Sequence, residues 1–247
     1  MPRRNPVIVL FTDFGYAGPY VGQMKAVLAQ QAPGVAVIDL MHDAPAFRPE
    51  PAAYLLAAAA GHLPTDAVLV AVVDPGVGTE RAALAIAAGD GWLVGPDNGL
   101  LAVLAARRGA RGGWRLPLPA RTSASFHGRD LFAPAGGALA VSGELPAGSE
   151  PVQRWIGQDW PAERAEVVYL DGYGNAMTGL QADSMAPGAG LEVTGRRLPG
   201  ARTFAERPAG TPFWYPNSLG LVEVAANQAS AAGLLGLEVG APVTVIR

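Results

Sequence analysis

Three aspartates end or follow short apolar runs in the first third of the chain: Asp13 behind Val7 to Phe11, Asp39 within Val35 to Leu40, and Asp74 behind Ala67 to Val73. In open α/β sheets ligands bind beyond the carboxyl ends of the strands, where a carboxylate can grip a hydroxyl, orient a water or hold a metal ion. One such aspartate alone is more often a turn or helix cap, but the recurrence weakens that reading. The loop Asp74-Pro75-Gly76-Val77-Gly78-Thr79-Glu80-Arg81 adds a guanidinium that its glycines allow to return to Asp74, as a loop staple or as part of a site. Ser125-Phe126-His127-Gly128-Arg129-Asp130 places an imidazole in a compact polar loop ahead of a helix. His42-Asp43 could join Asp13 and Asp74 in a carboxylate-rich metal centre of the kind a metal-dependent nucleotidase builds.

Further along, Asp171-Gly172-Tyr173-Gly174-Asn175 sets a carboxylate, an aromatic face and an amide on one glycine-flexed turn. These groups suit a nucleobase and an ammonium, although Asp, Gly and Asn are also ordinary turn residues. Asn217, Ser218 and Asn227 add amide and hydroxyl groups. Gly95-Pro96-Asp97-Asn98-Gly99 reads as entry to a helix; it lacks the spacing of a phosphate-binding loop.

The elements that must position these groups alternate between apolar runs and helix-period segments over about the first 145 residues, the pattern of a mixed, mainly parallel sheet flanked by helices. Val7 to Phe11, Val35 to Leu40 and Ala67 to Val73 are predicted strands, the last without a polar residue and so buried on both faces. Gly18 to Gln31 and Pro51 to Gly61 are predicted helices. Ala82 to Ala88 and Trp92 to Val94 flank Gly89-Asp90-Gly91, a hairpin signal, and a helix runs from Pro96 through Arg108. A small-residue helix follows Pro134. The Gly- and Pro-punctuated stretch Gly143 to Glu163 marks a boundary, giving an α/β domain over residues 1–157 and a smaller domain over 158–247. In the latter, Val167 to Leu170, Gly190 to Thr194, Leu221 to Ala225 and Pro242 to Ile246 read as short strands of a β-barrel.

Composition removes several function classes. The balance of 18 Lys+Arg against 21 Asp+Glu offers no footprint for nucleic acid or an anionic membrane. With Cys 0 there is no thiolate nucleophile or thiolate metal site, and His 3 is too few for a histidine-rich metal centre. Arg3 and Arg4 precede an apolar run shorter than a signal-peptide core, and Ala52 to Ala60 falls short of the roughly 20 residues a bilayer needs, so the expected location is cytoplasmic.

Taken in order, Phe11-Thr12-Asp13-Phe14-Gly15, Asp74 through Arg81, Gly95 through Gly99, Phe126-His127-Gly128-Arg129-Asp130, Asp171 through Asn175, and Asn217-Ser218 with Glu223 and Asn227 resemble the S-adenosyl-L-methionine hydroxide adenosyltransferase family, relatives of the fluorinating and chlorinating enzymes. The resemblance runs from about Val7 to Ile246. It implies an α/β domain followed by a β-barrel, and a homotrimer whose ligand lies between one subunit's first domain and a neighbour's second. It also implies hydrolysis of S-adenosylmethionine to adenosine and L-methionine without a cofactor or metal. Asp74, Arg81 and His127 match the family's catalytic residues. Asp13 matches the group on the ribose diol, Asp171 and Ser218 those at the methionine end, and Tyr173 and Asn175 the adenine side. Asn217 and Asn227 complete the implied binding set. Halogenating relatives have tyrosine where Asp74 stands, and fluorinating ones carry an extra loop absent here; both departures favour water over halide. Leu219 and Ala226 replace arginines of fluorinating members, which leaves those contacts to backbone.

The implied chemistry is consistent with the residues. Attack at ribose C5′ displaces a sulfonium as a neutral thioether, so neither an acid for the leaving group nor a metal is required, and the task is to aim a water. A carboxylate held by a guanidinium is a weak base. The expectation is that Asp74 and His127 orient water and accept its proton late, while Arg81 holds the carboxylate. A halogenase, a metal-dependent nucleotidase and a non-catalytic adenosyl-ligand sensor are the alternatives.

Overall fold

The computed structural model describes residues 7–186 and 188–246; Arg3 and Arg4 lie outside the described residues. By internal contact the chain divides into two units, one through Trp160 and one from Pro161 onward.

The first unit is built on a seven-stranded sheet. Its parallel half runs β2 (Ala36–Met41), β1 (Val7–Thr12), β3 (Val68–Val72), β5 (Gly91–Pro96). The other half is antiparallel: β4 (Ala83–Ala88) pairs with β5 as the expected hairpin, then β6 (Ala110–Arg115) and β7 (Glu150–Val152) follow. Val68–Val72 is buried at every position, as its unbroken apolar run predicts. On one face α1 (Tyr20–Gln31) packs on α4 (Ala133–Val141), and α4 lies against β1, β3 and β5. The small residues of α4 permit this: a Cβ on Gly136 would lie 2.5 Å from Val70 Cγ2, and one on Gly137 2.9 Å from Gln31 Cβ. On the other face α2 (Pro49–Ala59) packs on α3 (Ala102–Arg107), which reaches β4 and β6.

Several boundaries differ from expectation. The second strand ends one residue later than expected, at Met41, so Asp39 lies inside β2, level with Leu10. The helix expected from Pro96 is shortened to Ala102–Arg107, because Asn98 and Gly99 form a turn: Asn98 Oδ1 accepts from Leu100 N at 3.2 Å. Strands β6 and β7 were not legible as strands. Before α4, a π-helical turn spans Gly128–Phe132.

The second unit contains a four-stranded sheet, β12 (Pro212–Pro216), β13 (Leu221–Ala226), β9 (Ala176–Gln181), β8 (Arg164–Leu170), and a three-stranded sheet, β11 (Arg196–Leu198), β10 (Gly190–Val193), β14 (Val243–Ile246). Two isolated bridges join their edges: Glu166 with Pro242 links β8 to β14, and Gly200 with Trp214 links the end of β11 to β12. The two sheets thereby close on each other as a barrel around a core that includes Val167, Leu191, Val193, Val222 and Val224. A one-turn helix, α5 (Ala231–Leu235), is capped by the Ser230 side chain, which accepts from Gly233 N at 2.9 Å.

Candidate active site

In the first sheet the chain passes from β1 to β2 on one side and then to β3 on the other, so the strand order reverses between β1 and β3. That is where α/β sheets hold ligands. Thr12 is level with Val72, and Asp13 and Asp74 therefore leave neighbouring strands nearly side by side. Asp13 N donates to Val72 O at 3.3 Å, and Phe47 N donates to Asp13 Oδ2 at 3.1 Å. Burial pushes the Asp13 carboxyl above its ordinary value; the backbone N–H groups of Phe47 and of Asp13 itself oppose this, and Asp74 adds to it.

Two successive turns bring Arg81 back to Asp74. Val77 N donates to Asp74 O, Thr79 N and its hydroxyl donate to Gly76 O, and Arg81 N donates to Thr79 Oγ1. Gly78, at φ 79°, is where this loop meets the segment ahead of His127: a Cβ there would lie 2.4 Å from Ala124 O. Arg81 Nε donates to Asp74 Oδ1 at 2.8 Å, and Nη2 donates to Asp74 Oδ2 and to His127 Nδ1, the latter at 2.9 Å. Nη1 donates to Ala82 O, and the guanidinium lies 5.3 Å from the centre of the Phe132 ring. The Asp74 and Arg81 side chains are 4% and 10% exposed, so this fork sits where solvent screens it little. Asn98, from the helix-entry motif, braces the cluster by donating to Val73 O at 2.9 Å.

Because a guanidinium can only donate, His127 Nδ1 must accept, and the remaining ring proton belongs on Nε2. Burial pushes the His127 pKa down and the Arg81 charge pushes it further, against the pull of Asp74 and Asp130. The imidazole is thus held neutral with an N–H to offer. With Nδ1 taken by Arg81, this arrangement suits His127 to donate from Nε2, where the expectation from sequence is that it accepts a proton.

Asp13, Asp74 and His127 face one cleft of about 620 Å³. Its aromatic side was missed by sequence reasoning: Phe14, Tyr20 and Phe126 stack edge-on or tilted with centroids 5.4 to 5.8 Å apart, and exposed Phe47 stands at the cleft. Phe14 and Phe126 flank Asp13 and His127 in sequence, the one signal that could have found them. His42 and Asp43 do not assemble a metal centre: among the described residues no group of three or more His, Asp or Glu side chains is placed to hold a metal ion.

In the second unit the Asp171–Asn175 turn joins β8 to β9. Asp171 Oδ1 accepts from Tyr173 N and Asn175 N, and Oδ2 from Asn175 Nδ2 at 2.9 Å, so the carboxylate organises its own turn. Tyr173, Asn175 and Asn227 line a common pocket of about 620 Å³ with Phe204 and the 228–230 segment. Asn227 Nδ2 is occupied by Arg207 O at 2.7 Å. Asn217 and Ser218 are not in that pocket; their turn sits where β13 begins, at the other end of its ladder with β9. Asn217 Oδ1 accepts from Leu219 N and Leu221 N, while its Nδ2 donates to Glu223 Oε2 at 2.7 Å, leaving Ser218 exposed at the tip. Glu223 is 2% exposed and also accepts from Tyr215 OH. Burial and Asp171 push its carboxyl up, against the donors Asn217 and Tyr215.

Residues 8–147 match the family model for the SAM hydroxide adenosyltransferase N-terminal domain, and residues 165–244 the one for the C-terminal domain. The chain belongs to this family. The (R)-S-adenosyl-L-methionine hydrolase of Thermus thermophilus is 43% identical, over 98% of this chain and all of its own length. An uncharacterized conserved protein of Thermotoga maritima has a solved structure with TM-score 0.87 and 28% identity, over 98% of this chain and 100% of that one. The fluorinase of Actinopolyspora mzabensis stands further off, at 24% identity over 98% of each chain.

Proposed function

We infer that this protein hydrolyses S-adenosyl-L-methionine to adenosine and L-methionine. The observation that carries the reading is the Asp74–Arg81–His127 cluster, one contiguous hydrogen-bonded group opening on the same cleft as Asp13. Asp13 takes the ribose diol with the oxygen that Phe47 leaves free. C5′ then lies towards Asp74 and His127, which hold a water between an acceptor and a donor: Asp74 accepts one of its protons, and His127 Nε2–H donates to its oxygen. The remaining lone pair attacks C5′ in line with the sulfonium. The C5′–O bond forms, the C5′–S bond breaks with its electron pair going to sulfur, and methionine departs as an uncharged thioether. The water's proton passes to Asp74 and then to solvent. Arg81 never reacts; it fixes the carboxylate with two hydrogen bonds and the imidazole tautomer with a third. Supplying this orientation is the kind of effect that contributes roughly 7 to 11 kcal/mol in intramolecular reactions.

In the second unit the pocket at Tyr173, Asn175 and Asn227 takes the adenine side, while Asp171 and Ser218 serve the methionine amino and carboxylate ends. The same reading has the protein act without metal and assemble as a homotrimer, with each ligand shared between one subunit's first unit and a neighbour's second. Light scattering on the purified protein tests the trimer; a monomeric, active species removes it. Incubation with S-adenosylmethionine, with and without chelator and with and without chloride or fluoride, tests the reaction. Equimolar adenosine and methionine under every condition are expected. A 5′-halo-5′-deoxyadenosine product would identify a halogenase instead, and loss of turnover with chelator a metal enzyme. Single-turnover adenosine release should fall at least ~100-fold in Asp74→Ala.

A further inference from the structure

Beneath Asp13 lies a network that the reaction above does not use. His42 follows β2 and is 0% exposed. Its Nδ1 is hydrogen-bonded to Thr12 Oγ1 at 2.9 Å, and its Nε2 lies 3.2 Å from Asp39 Oδ1 without the geometry of a hydrogen bond. Asp39 in turn pairs with Lys25 at 3.0 Å near the surface. Thr12 is likewise 0% exposed; its Oγ1 accepts from Phe14 N at 3.3 Å and shares a hydrogen bond with His42 Nδ1. The main chain repeats the connection: Gly15 N donates to His42 O at 2.6 Å, Ala44 N to Thr12 O at 3.1 Å, and Phe47 N to Asp13 Oδ2. The Tyr16 and His42 rings meet in a T-shaped arrangement with centroids 5.4 Å apart.

The order aspartate, histidine, hydroxyl is that of a nucleophile with its base. Here the hydroxyl is sealed in the core and can reach no substrate. What the network does touch is the residue before Asp13 and the residue after it, so it sets the direction in which that carboxylate leaves the strand. We propose that His42, acting through Thr12, is a positioning residue for Asp13 that aims its free carboxylate oxygen at the ribose diol. The proposal rests on the reading in which Asp13 takes that diol.

The test compares kcat/KM for S-adenosylmethionine and for its 2′-deoxyribose analogue. The native protein should prefer the hydroxylated substrate at least ~10-fold, and Asp13→Ala should abolish the preference. Thr12→Val keeps the shape of the core and removes the hydroxyl; His42→Gln moves the amide away from Thr12, whereas His42→Asn leaves one near the Nδ1 position. Thr12→Val and His42→Gln should each cut the preference about five-fold, mainly through KM for S-adenosylmethionine, with the analogue changed less than about two-fold. His42→Asn should restore most of the preference, and Thr12→Val should change nothing further in the Asp13→Ala background. Thermal unfolding confirms that each variant is folded, and Thr12→Val alone decides the matter if the His42 variants are not. A full preference in Thr12→Val, with Asp13→Ala having lost it, overturns the role of the His42 network and leaves Asp13 on the diol. A full preference in Asp13→Ala overturns the diol assignment, and the proposal with it.

Discussion

Arg81 spends all three nitrogens on fixed acceptors, and that is a use lysine cannot copy. Arg81→Lys keeps the charge but loses the fork on Asp74 and the donor that sets the His127 tautomer; kcat should drop about 100-fold with KM for S-adenosylmethionine changed only a few-fold, measured in steady state. The pH dependence follows from His127. Burial and Arg81 hold its pKa below the ordinary value of 6.5, so kcat/KM should be level at and above that pH and decline only further into acid. An acid limb centred at or above 6.5 would contradict a neutral, donating imidazole. The sign for stability is the same: a histidine with a depressed folded-state pKa contributes stability that is present above 6.5 and lost as pH falls through its lowered value. The unfolding free energy of the native protein relative to His127→Gln should therefore decline on acidification through that window.

At the scale of elements, the site depends on how closely one loop passes another. Gly78 sits with positive φ against Ala124 O, where a methyl group has no room. Gly78→Ala should lower the melting temperature by several degrees and kcat by about 10-fold or more, because the loop carrying Arg81 must move away from the segment carrying His127. The same scale shows what was legible in the sequence. The turn from Asp74 to Arg81 was readable because both partners lie in one short glycine-punctuated loop. Spacing alone could not bring in His127, 46 residues beyond Arg81; only the pattern of motifs did. Strands β1 and β3 announced themselves as apolar runs, but Ala110–Arg115, with two glycines and two arginines, becomes β6 only because β4 offers it an edge. In the barrel, Pro212–Pro216 and Ala176–Gln181 lack the β-branched runs that mark strands, and their pairing with β13 decides them. Asp39 shares the strand-end pattern of Asp13 and Asp74, yet it pairs with Lys25 near the surface, a difference that spacing does not carry.

For the whole molecule, the division at Trp160 separates two units with their own hydrophobic cores. A fragment of residues 161–247 should fold by itself into a β-rich species with cooperative thermal unfolding, followed by circular dichroism, and should release no adenosine from S-adenosylmethionine. A fragment without a cooperative transition would show that the barrel requires the remainder of the protein.

The emergence of Asp13 and Asp74 from paired strands, one residue out of step, has a consequence for how such a scaffold can change. Neighbouring strands stand about 4.8 Å apart whatever the surrounding loops do. On the proposed reading, the gap between the anchor for the sugar and the post beside the attacked carbon is thus a ruler printed largely in the backbone. Loops can lengthen or shorten around it without rescaling it, and on that reading the side chain at position 74 can be exchanged while the sugar stays in its berth.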